Sequence, residues 1–408
     1  MLSEMKNLSI YGAKVWVGDS EPPKEKILHV SDGIFTENPT DDAIEVNASG
    51  LVIIPGLIEA HAHLCLNAGD DWEKVQNNDS SRSMSLRMIE NAQKMLRAGI
   101  TTIRDLGAPT ELAVSLRNAI NEGIVTGPEL FVAGAPITTT AGHGNFWNGE
   151  ADGELGVRVA VRERIKAGVD WIKVMASGGN MTPGSNTARA QYSIDEMKAI
   201  VEEAHRLGTS VTAHAHGVEG IRHALAGGVD MIEHCTFQTE NGSEPIPEVI
   251  AEIISSQTIV SPTLTGSLAL QKGTELYKKR TELTRQLVEG GAQIVMSTDC
   301  GIPGTPHTYL SYALETMHDM SDLSAIETLR LATSTSAHLL SLDDRGKIKT
   351  GLRADLVALN EDPTVNLAAL RDINFVMSGG SLSIANALVF FQVNTVMHPL
   401  LLCGTVYR

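Results

Sequence analysis

Eight short apolar runs follow one another through the middle of the chain, each ending on a residue whose side chain can do chemistry. The first reads Ile53-Ile54-Pro55-Gly56-Leu57-Ile58-Glu59-Ala60-His61-Ala62-His63. Later runs close around Lys173 in Asp-Trp-Ile-Lys-Val-Met, His214 in Val-Thr-Ala-His-Ala-His, His234 in Met-Ile-Glu-His-Cys and Asp299 in Ile-Val-Met-Ser-Thr-Asp-Cys. A strand points alternate side chains to one face, so His61 and His63 can grip one ion as a pair. Nitrogen and oxygen donors of this kind suit zinc or a similar divalent metal.

The runs predict strands at residues 52–60, 101–105, 130–133, 170–176, 210–215, 231–234, 259–263 and 293–298. Helical periodicity lies between most of them, as at residues 83–98, 194–207, 218–226 and 281–289. This alternation predicts an α/β fold, a (β/α)8 TIM-like barrel over residues 55–345, with its chemistry at the carboxyl ends of the strands. A doubly wound sheet is the rival, but no G-x-G-x-x-G opens a helix after a strand.

Both ends of the chain read as short strands with turns: residues 8–16, 26–30 and 34–35, then 346–348 and 354–359. They predict one small β-sandwich domain built from residues 1–54 and 346–408. The stretch from Leu382 to Cys403 is strongly apolar but broken by Asn386, Gln392, Asn394, His398 and Pro399. That is too interrupted for a membrane span and reads as buried strands or an oligomer interface.

A formal charge of −17 argues against non-specific binding to nucleic acid or an anionic membrane, and weakly favours cationic substrates. Cys65, Cys235, Cys300 and Cys403 show no CxxC spacing and read as small core residues. Residues Met1 to Tyr11 contain no run of signal-peptide length, and a cytoplasmic location is expected.

The segment Pro55-Gly56-Leu57-Ile58-Glu59-Ala60-His61-Ala62-His63, together with the later run endings, resembles the amidohydrolase superfamily. The resemblance covers residues 51–351 and implies a binuclear metal hydrolase. In it His61 and His63 match the pair on the more buried metal, and His214 and His234 match ligands of the second. Lys173 matches a lysine that reacts with CO2 to give a carbamate bridging both ions. Asp299 matches a metal ligand that also shuttles the proton after attack by metal-held hydroxide. Chemistry agrees on the lysine: an ammonium cannot bind a cation, whereas a buried neutral amine can capture CO2.

Within the superfamily, Ile172 to Gly179 followed by Gln191-Tyr192-Ser193 looks like the prolidase-like dipeptidase and carboxypeptidase branch, with zinc-dependent arginine carboxypeptidases the nearest likeness. His143, on the glycine-rich loop Thr140-Ala141-Gly142-His143-Gly144-Asn145, is a candidate catalytic donor and substrate contact. His216, two residues past His214, is a second candidate substrate contact. Arg189 and Tyr192 suit the free carboxylate of a small peptide, arginine through a two-pronged charge-assisted bond. The acidic loop around Glu150, Asp152 and Glu154 is a candidate partner for a substrate arginine or lysine, or simply solvated. The expected activity is a metallocarboxypeptidase or dipeptidase, with an Xaa-Pro dipeptidase or cyclic-amide hydrolase of the imidazolonepropionase type as the alternative. Zn2+ is the expected metal and a homo-oligomer the expected assembly. The segment 381–404 is extra relative to the branch. A catalytically dead scaffold would need a missing ligand, and none of the six positions is missing.

Overall fold

The computed structural model describes residues 7–384 and 391–392. It packs as two compact units. The smaller takes the described residues up to Ile58, Met95–Thr101, and those from Ser324 onward; the larger takes Glu59–Lys94 and Thr102–Leu323.

In the smaller unit, the period-two pattern of the chain ends becomes two sheets. Along Asn7–Tyr11, Leu8 and Ile10 are buried while their neighbours are half-exposed, the signature of a strand covered on one face. The first sheet runs in the order Phe391–Gln392, Ile44–Asn47, Asn7–Tyr11, Leu28–Ser31, Ile34–Thr36. The second runs Ser381–Ile384, Ile373–Ser378, Leu356–Leu359, Val52–Pro55, Lys14–Val15, Lys24–Glu25. Val52–Pro55 and Leu356–Leu359 pair antiparallel with Pro55 opposite Leu356, tying the two ends of the chain together. Both of those strands are buried throughout, which accounts for their unbroken apolar composition. Leu8, Ile10, Val30, Phe35, Ile53, Leu356, Phe375 and Met377 belong to one apolar core. The helices Ala325–Leu331 and Ser334–Leu339 also group with this unit, beyond the boundary expected at residue 346. Of the apolar tail, Ser381–Ile384 continues the second sheet and Phe391–Gln392 pairs with Ile44–Asn47; Cys403, His398 and the rest lie outside the described residues.

The larger unit is mixed α/β. Parallel ladders join Ile100–Asp105 to Glu129–Val132, Ile172–Met175 to Val211–Gly217, that strand to Met231–Thr239, and Met231–Thr239 to Ile259–Ser261. Helices follow most of these strands. Ile194–Arg206 is started by a capping box: Ser193 accepts from Glu196 N–H, and Glu196 reaches back to Ser193. Its buried Met197, Ile200, Val201 and Ala204 fall at the i, i+3, i+4, i+7 spacing of one helical face.

Two expectations need correction. The helix expected at residues 281–289 starts at Glu275, because the Thr274 side chain caps it by accepting from Tyr277 N–H. Residues 293–298 contribute an isolated bridge, Val260 to Ile294, instead of a strand, and a second bridge, Ala62 to Cys300, follows just beyond them. Side chains there take over ladder positions: Thr298 N–H donates to Glu59 Oε1 at 3.0 Å and Thr263 N–H to Ser297 Oγ at 3.1 Å. Among the described residues no helix is long and apolar enough to cross a membrane.

Phe375 is buried at the centre of the small core. Phe375→Ala should lower stability by about 3–5 kcal/mol in urea melts, through lost burial and the cavity left behind. A loss below about 1 kcal/mol would mean that the site collapses freely.

Candidate metal centre

The run endings converge within the larger unit. Glu59, His61 and His63 alternate along and just beyond Leu57–Ala62, Lys173 lies in Ile172–Met175, and His214 and His216 lie in Val211–Gly217. Ladder register sets Met175 beside His214 and Ala215 beside His234. Three residues at this rim hold the left-handed backbone that side chains avoid: His234 at φ 69°, Thr263 at φ 47° and Asp299 at φ 61°. Each costs about 1–3 kcal/mol and persists only where surrounding packing enforces it, as at functional sites.

His61 donates Nδ1–H to Glu233 Oε2 at 2.9 Å, and His63 donates Nδ1–H to the Gly107 carbonyl at 3.0 Å. Those bonds set both tautomers and leave the two Nε2 atoms as acceptors, 3.3 Å apart. Asp299 Oδ1 stands 3.3 Å from one and 3.1 Å from the other, with no hydrogen bond of its own. Three acceptors facing one another in a buried site require a proton or a cation between them. The strain shows in their acidities. Burial and the charge of Lys173 push His61 down to about 4. Burial also lowers His63, but the negative charge of Asp299 close by, with that of Asp105, outweighs it and the net shift is upward. Asp299 is raised by burial, yet His61, His63 and Lys173 together hold it below the usual carboxylate range.

A second donor set stands on neighbouring strands. The ligand atoms of His214, His216 and His234 lie within 4.8 Å of one another. His214 donates Nε2–H to the Gly178 carbonyl at 3.0 Å, leaving Nδ1 as its lone-pair nitrogen. His234 Nδ1 is engaged by Thr263 Oγ1 at 2.8 Å, leaving Nε2. Burial, then the neighbouring histidines, pushes His214 and His234 far below the ordinary range and His216 down to about 3. These are neutral rings, the form that binds metal.

Lys173 is 2% exposed and its Nζ has no hydrogen-bond partner. Its charge is felt in both donor sets, at His61 and Asp299 and at His214 and His234. Burial lowers its pKa to about 8 against the opposing pull of Glu233 and Asp299. An orphaned buried amine beside two converging acceptor sets is the local signature of a site built for cations, and this donor set fits two divalent ions.

Two carboxylates brace the ligands. Glu233 takes His61 Nδ1–H, Arg104 Nη2–H at 2.7 Å and the Thr212 hydroxyl at 2.6 Å. Burial would raise its pKa, but Arg104 and His61 outweigh burial and keep it ionised. Glu59 accepts from His61 N–H at 3.0 Å and from the Thr298 hydroxyl at 2.7 Å, linking the first and last ligand segments.

Above the ligands lies a cavity of about 380 Å³, within the range that holds small molecules. His143 and His216 line it, as do Phe146, Trp147, Leu268, Leu276, Gln238 and Arg280. The His143 ring is centred 4.7 Å from His214, and a side chain on Gly179 would collide with it, since an added Cβ would fall 2.4 Å from Nε2. His216 stacks on His234 at 4.3 Å, inside the histidine group rather than apart from it. Arg189 and Tyr192 do not line this cavity. Arg189 is exposed, and Tyr192 is buried with its hydroxyl donated to the Ala151 carbonyl at 2.7 Å. Tyr192 is therefore a packing residue with its polar end satisfied. Sequence reading passed over Glu233, although it adjoins His234, and Trp147, which stacks on His63 at 5.2 Å. It also passed over Arg280, hidden in the basic run Lys278-Lys279-Arg280.

The amidohydrolase family model matches residues 52–384, and the chain belongs to the amidohydrolase family. It is 29% identical to ochratoxinase of Aspergillus niger, over 93% of this chain and 87% of that protein. It is 25% identical to imidazolonepropionase of Streptomyces coelicolor, over 79% and 81%. Among solved structures it resembles an Xaa-Pro dipeptidase with methionine bound in its active site, at a TM-score of 0.82 and 26% identity, covering 93% of this chain and 100% of that one. These neighbours share a TIM-like barrel with a small added domain. The chain is accordingly a hydrolase of the kind that acts on C–N bonds.

Glu233→Ala should leave Arg104 unpaired and His61 unbraced. The expected result is a loss of about 3–5 kcal/mol in stability together with a lower metal content by plasma emission spectrometry. Full metal content in a stable variant would show that His61 needs no brace. Tyr192→Phe should cost only about 1 kcal/mol in thermal melts and leave KM unchanged; a steep rise in KM would restore Tyr192 to the substrate site.

Proposed function

We propose that this chain is a metal-dependent amide hydrolase of small acyl-amino acids and dipeptides, with Xaa-Pro dipeptides the first candidates. The observation that carries the reading is the orphaned Lys173 amine between two sets of converging acceptors, at the floor of a cavity of small-molecule size. The ladders and the bridges at Val260–Ile294 and Ala62–Cys300 support a closed eight-stranded barrel with these ligands at its carboxyl rim.

His61, His63 and Asp299 would hold one ion, and His214 and His234 the other, with His216 behind them. Lys173, after its neutral amine bonds to CO2 and releases a proton, would bridge the two as a carbamate. Zn2+ suits this nitrogen-and-oxygen donor set. Bound there, such a pair lowers the pKa of a water and polarises the scissile carbonyl. Asp299 then accepts the proton of the attacking water and returns it to the departing nitrogen. The Thr182 hydroxyl accepts Gly144 N–H at 3.0 Å and meets His143 Nδ1 at 3.1 Å. That arrangement favours a neutral His143 with its proton on Nε2, suited to hydrogen bonding a carbonyl oxygen. Burial, which pushes its pKa down to about 4, keeps the ring uncharged.

A preference for C-terminal Arg or Lys finds no support. Glu150 accepts from Ala141 N–H at 2.6 Å and Asp152 from Thr140 N–H at 3.0 Å, so both carboxylates are engaged by the backbone of the neighbouring glycine-rich loop. Among the described residues Asp299 is the sole carboxylate on the cavity wall. The imidazolonepropionase relatives favour cyclic amides as a second reading. The buried thiols Cys65, Cys235 and Cys300 fit a reducing, cytoplasmic setting.

A panel of dipeptides varied at the C-terminal residue, N-acetyl amino acids and cyclic amides tests the reading on metal-loaded protein. At least one C–N substrate should reach about 10⁴ M⁻¹ s⁻¹ in kcat/KM. Turnover of none would sink the proposal, and turnover of cyclic amides alone would select the second reading. Lys173→Ala should lose at least about a hundredfold in kcat and bind less metal, with partial recovery in added short carboxylic acids. Undiminished activity in Lys173→Ala would exclude the bridge.

A further inference from the structure

Arg280 lines the cavity, yet it is 6% exposed and carries a buried Nε with no hydrogen-bond partner. Its Nη2 donates to the Pro262 carbonyl at 3.1 Å, and no carboxylate among the described residues pairs with it. A guanidinium stays charged in proteins, and burial, which pushes this one down to about 10, leaves it cationic at neutral pH. Stripping water from a lone cation is costly unless something anionic replaces it. The wall offers nothing: Asp299 is its one acid and belongs to the histidine cluster. The missing anion must therefore arrive with the ligand.

The geometry points to a carboxylate. A guanidinium fork bonds the two oxygens of a carboxylate in parallel, and a small acyl-amino acid ends in that group. Arg280 projects from the helix Glu275–Glu289, and Gln238 shares the same cavity as an amide donor. Phe146, Trp147, Leu268 and Leu276 give the cavity apolar surface for the rest of the molecule. We propose that Arg280 anchors the substrate's free carboxylate and so selects anionic acyl-amino acids over neutral amides. The name of the reaction rests on the amide-hydrolase reading; the binding claim does not.

Two compound pairs separate these claims. N-benzyl-leucine and N-benzyl-leucinol are inert and differ only in the carboxylate; N-acetyl-leucine and N-acetyl-leucinol carry one amide each. In calorimetry, metal-loaded wild-type protein should bind N-benzyl-leucine about 10–100-fold tighter than the alcohol. Arg280→Met should erase that preference, and Arg280→Lys, which keeps the charge but not the fork, should retain part of it. For hydrolysis, Arg280→Met should raise KM for N-acetyl-leucine far more than it lowers kcat, closing the gap to N-acetyl-leucinol.

Equal binding of the inert pair by the wild type, or an undiminished preference in Arg280→Met, would overturn the anchor. Should neither acetyl compound turn over while the binding preference follows Arg280, the anchor stands and the amide-hydrolase reading falls. Hydrolysis of both at equal kcat/KM by the wild type, with equal binding, leaves the reading and removes the anchor. If circular dichroism shows Arg280→Met unfolded, wild type against Arg280→Lys decides the matter.

Discussion

Three lone pairs aimed at one point organise the larger unit. His61 Nε2, His63 Nε2 and Asp299 Oδ1 repel one another unless a proton or a cation sits among them. The surrounding bonds do not soften this arrangement; they enforce it. Glu233 and Gly107 take the Nδ1 protons that would otherwise let the rings turn, and Glu59 ties the His61 backbone to Thr298. Glu233 can do so only because Arg104 offsets its charge. The fold thus holds a cation-shaped conflict in place, and binding an ion is what resolves it.

The left-handed backbone at His234, Thr263 and Asp299 follows from the same demand. Thr263 matters here as much as the ligands, because its hydroxyl engages His234 Nδ1. Unfavourable φ angles at these three positions, one within the strand Met231–Thr239 and two beyond Ser261 and Thr298, are tolerated because the buried packing around them cannot shift to relieve the strain.

Six candidate ligand positions stood out in the sequence because each closes an apolar run, and the structure brings their side chains into one unit. What escaped depends on partners far away in sequence. Tyr192 has the chemistry of a carboxylate holder, but its hydroxyl is claimed by Ala151, 41 positions earlier, which no local pattern announces. Arg280 sits in a run of three basic residues that reads as a solvated helical face. Its burial becomes evident only once the Thr274 cap sets the start of the helix. The eighth run failed to form a regular strand because Ser297 and Glu59 supply side-chain acceptors where a ladder would supply carbonyls. Glu233 was visible as a neighbour of a ligand, but its role required knowing that Arg104 lies across from it.

Net charge does not describe the interior of the cavity, and the reason is distance. A total of −17 suggests that cations are drawn in and anions turned away. Surface carboxylates, however, act through water and salt, which damp their fields over about 8 Å at physiological ionic strength. Inside the cavity the charges are few and poorly screened: Arg280 is a cation, and Asp299 is the lone acid on the wall. Each ion bound by the histidines would add further positive charge. The exterior therefore governs long-range encounter, while a handful of buried groups determines which small molecule remains bound, and on the proposed role of Arg280 that molecule is an anion.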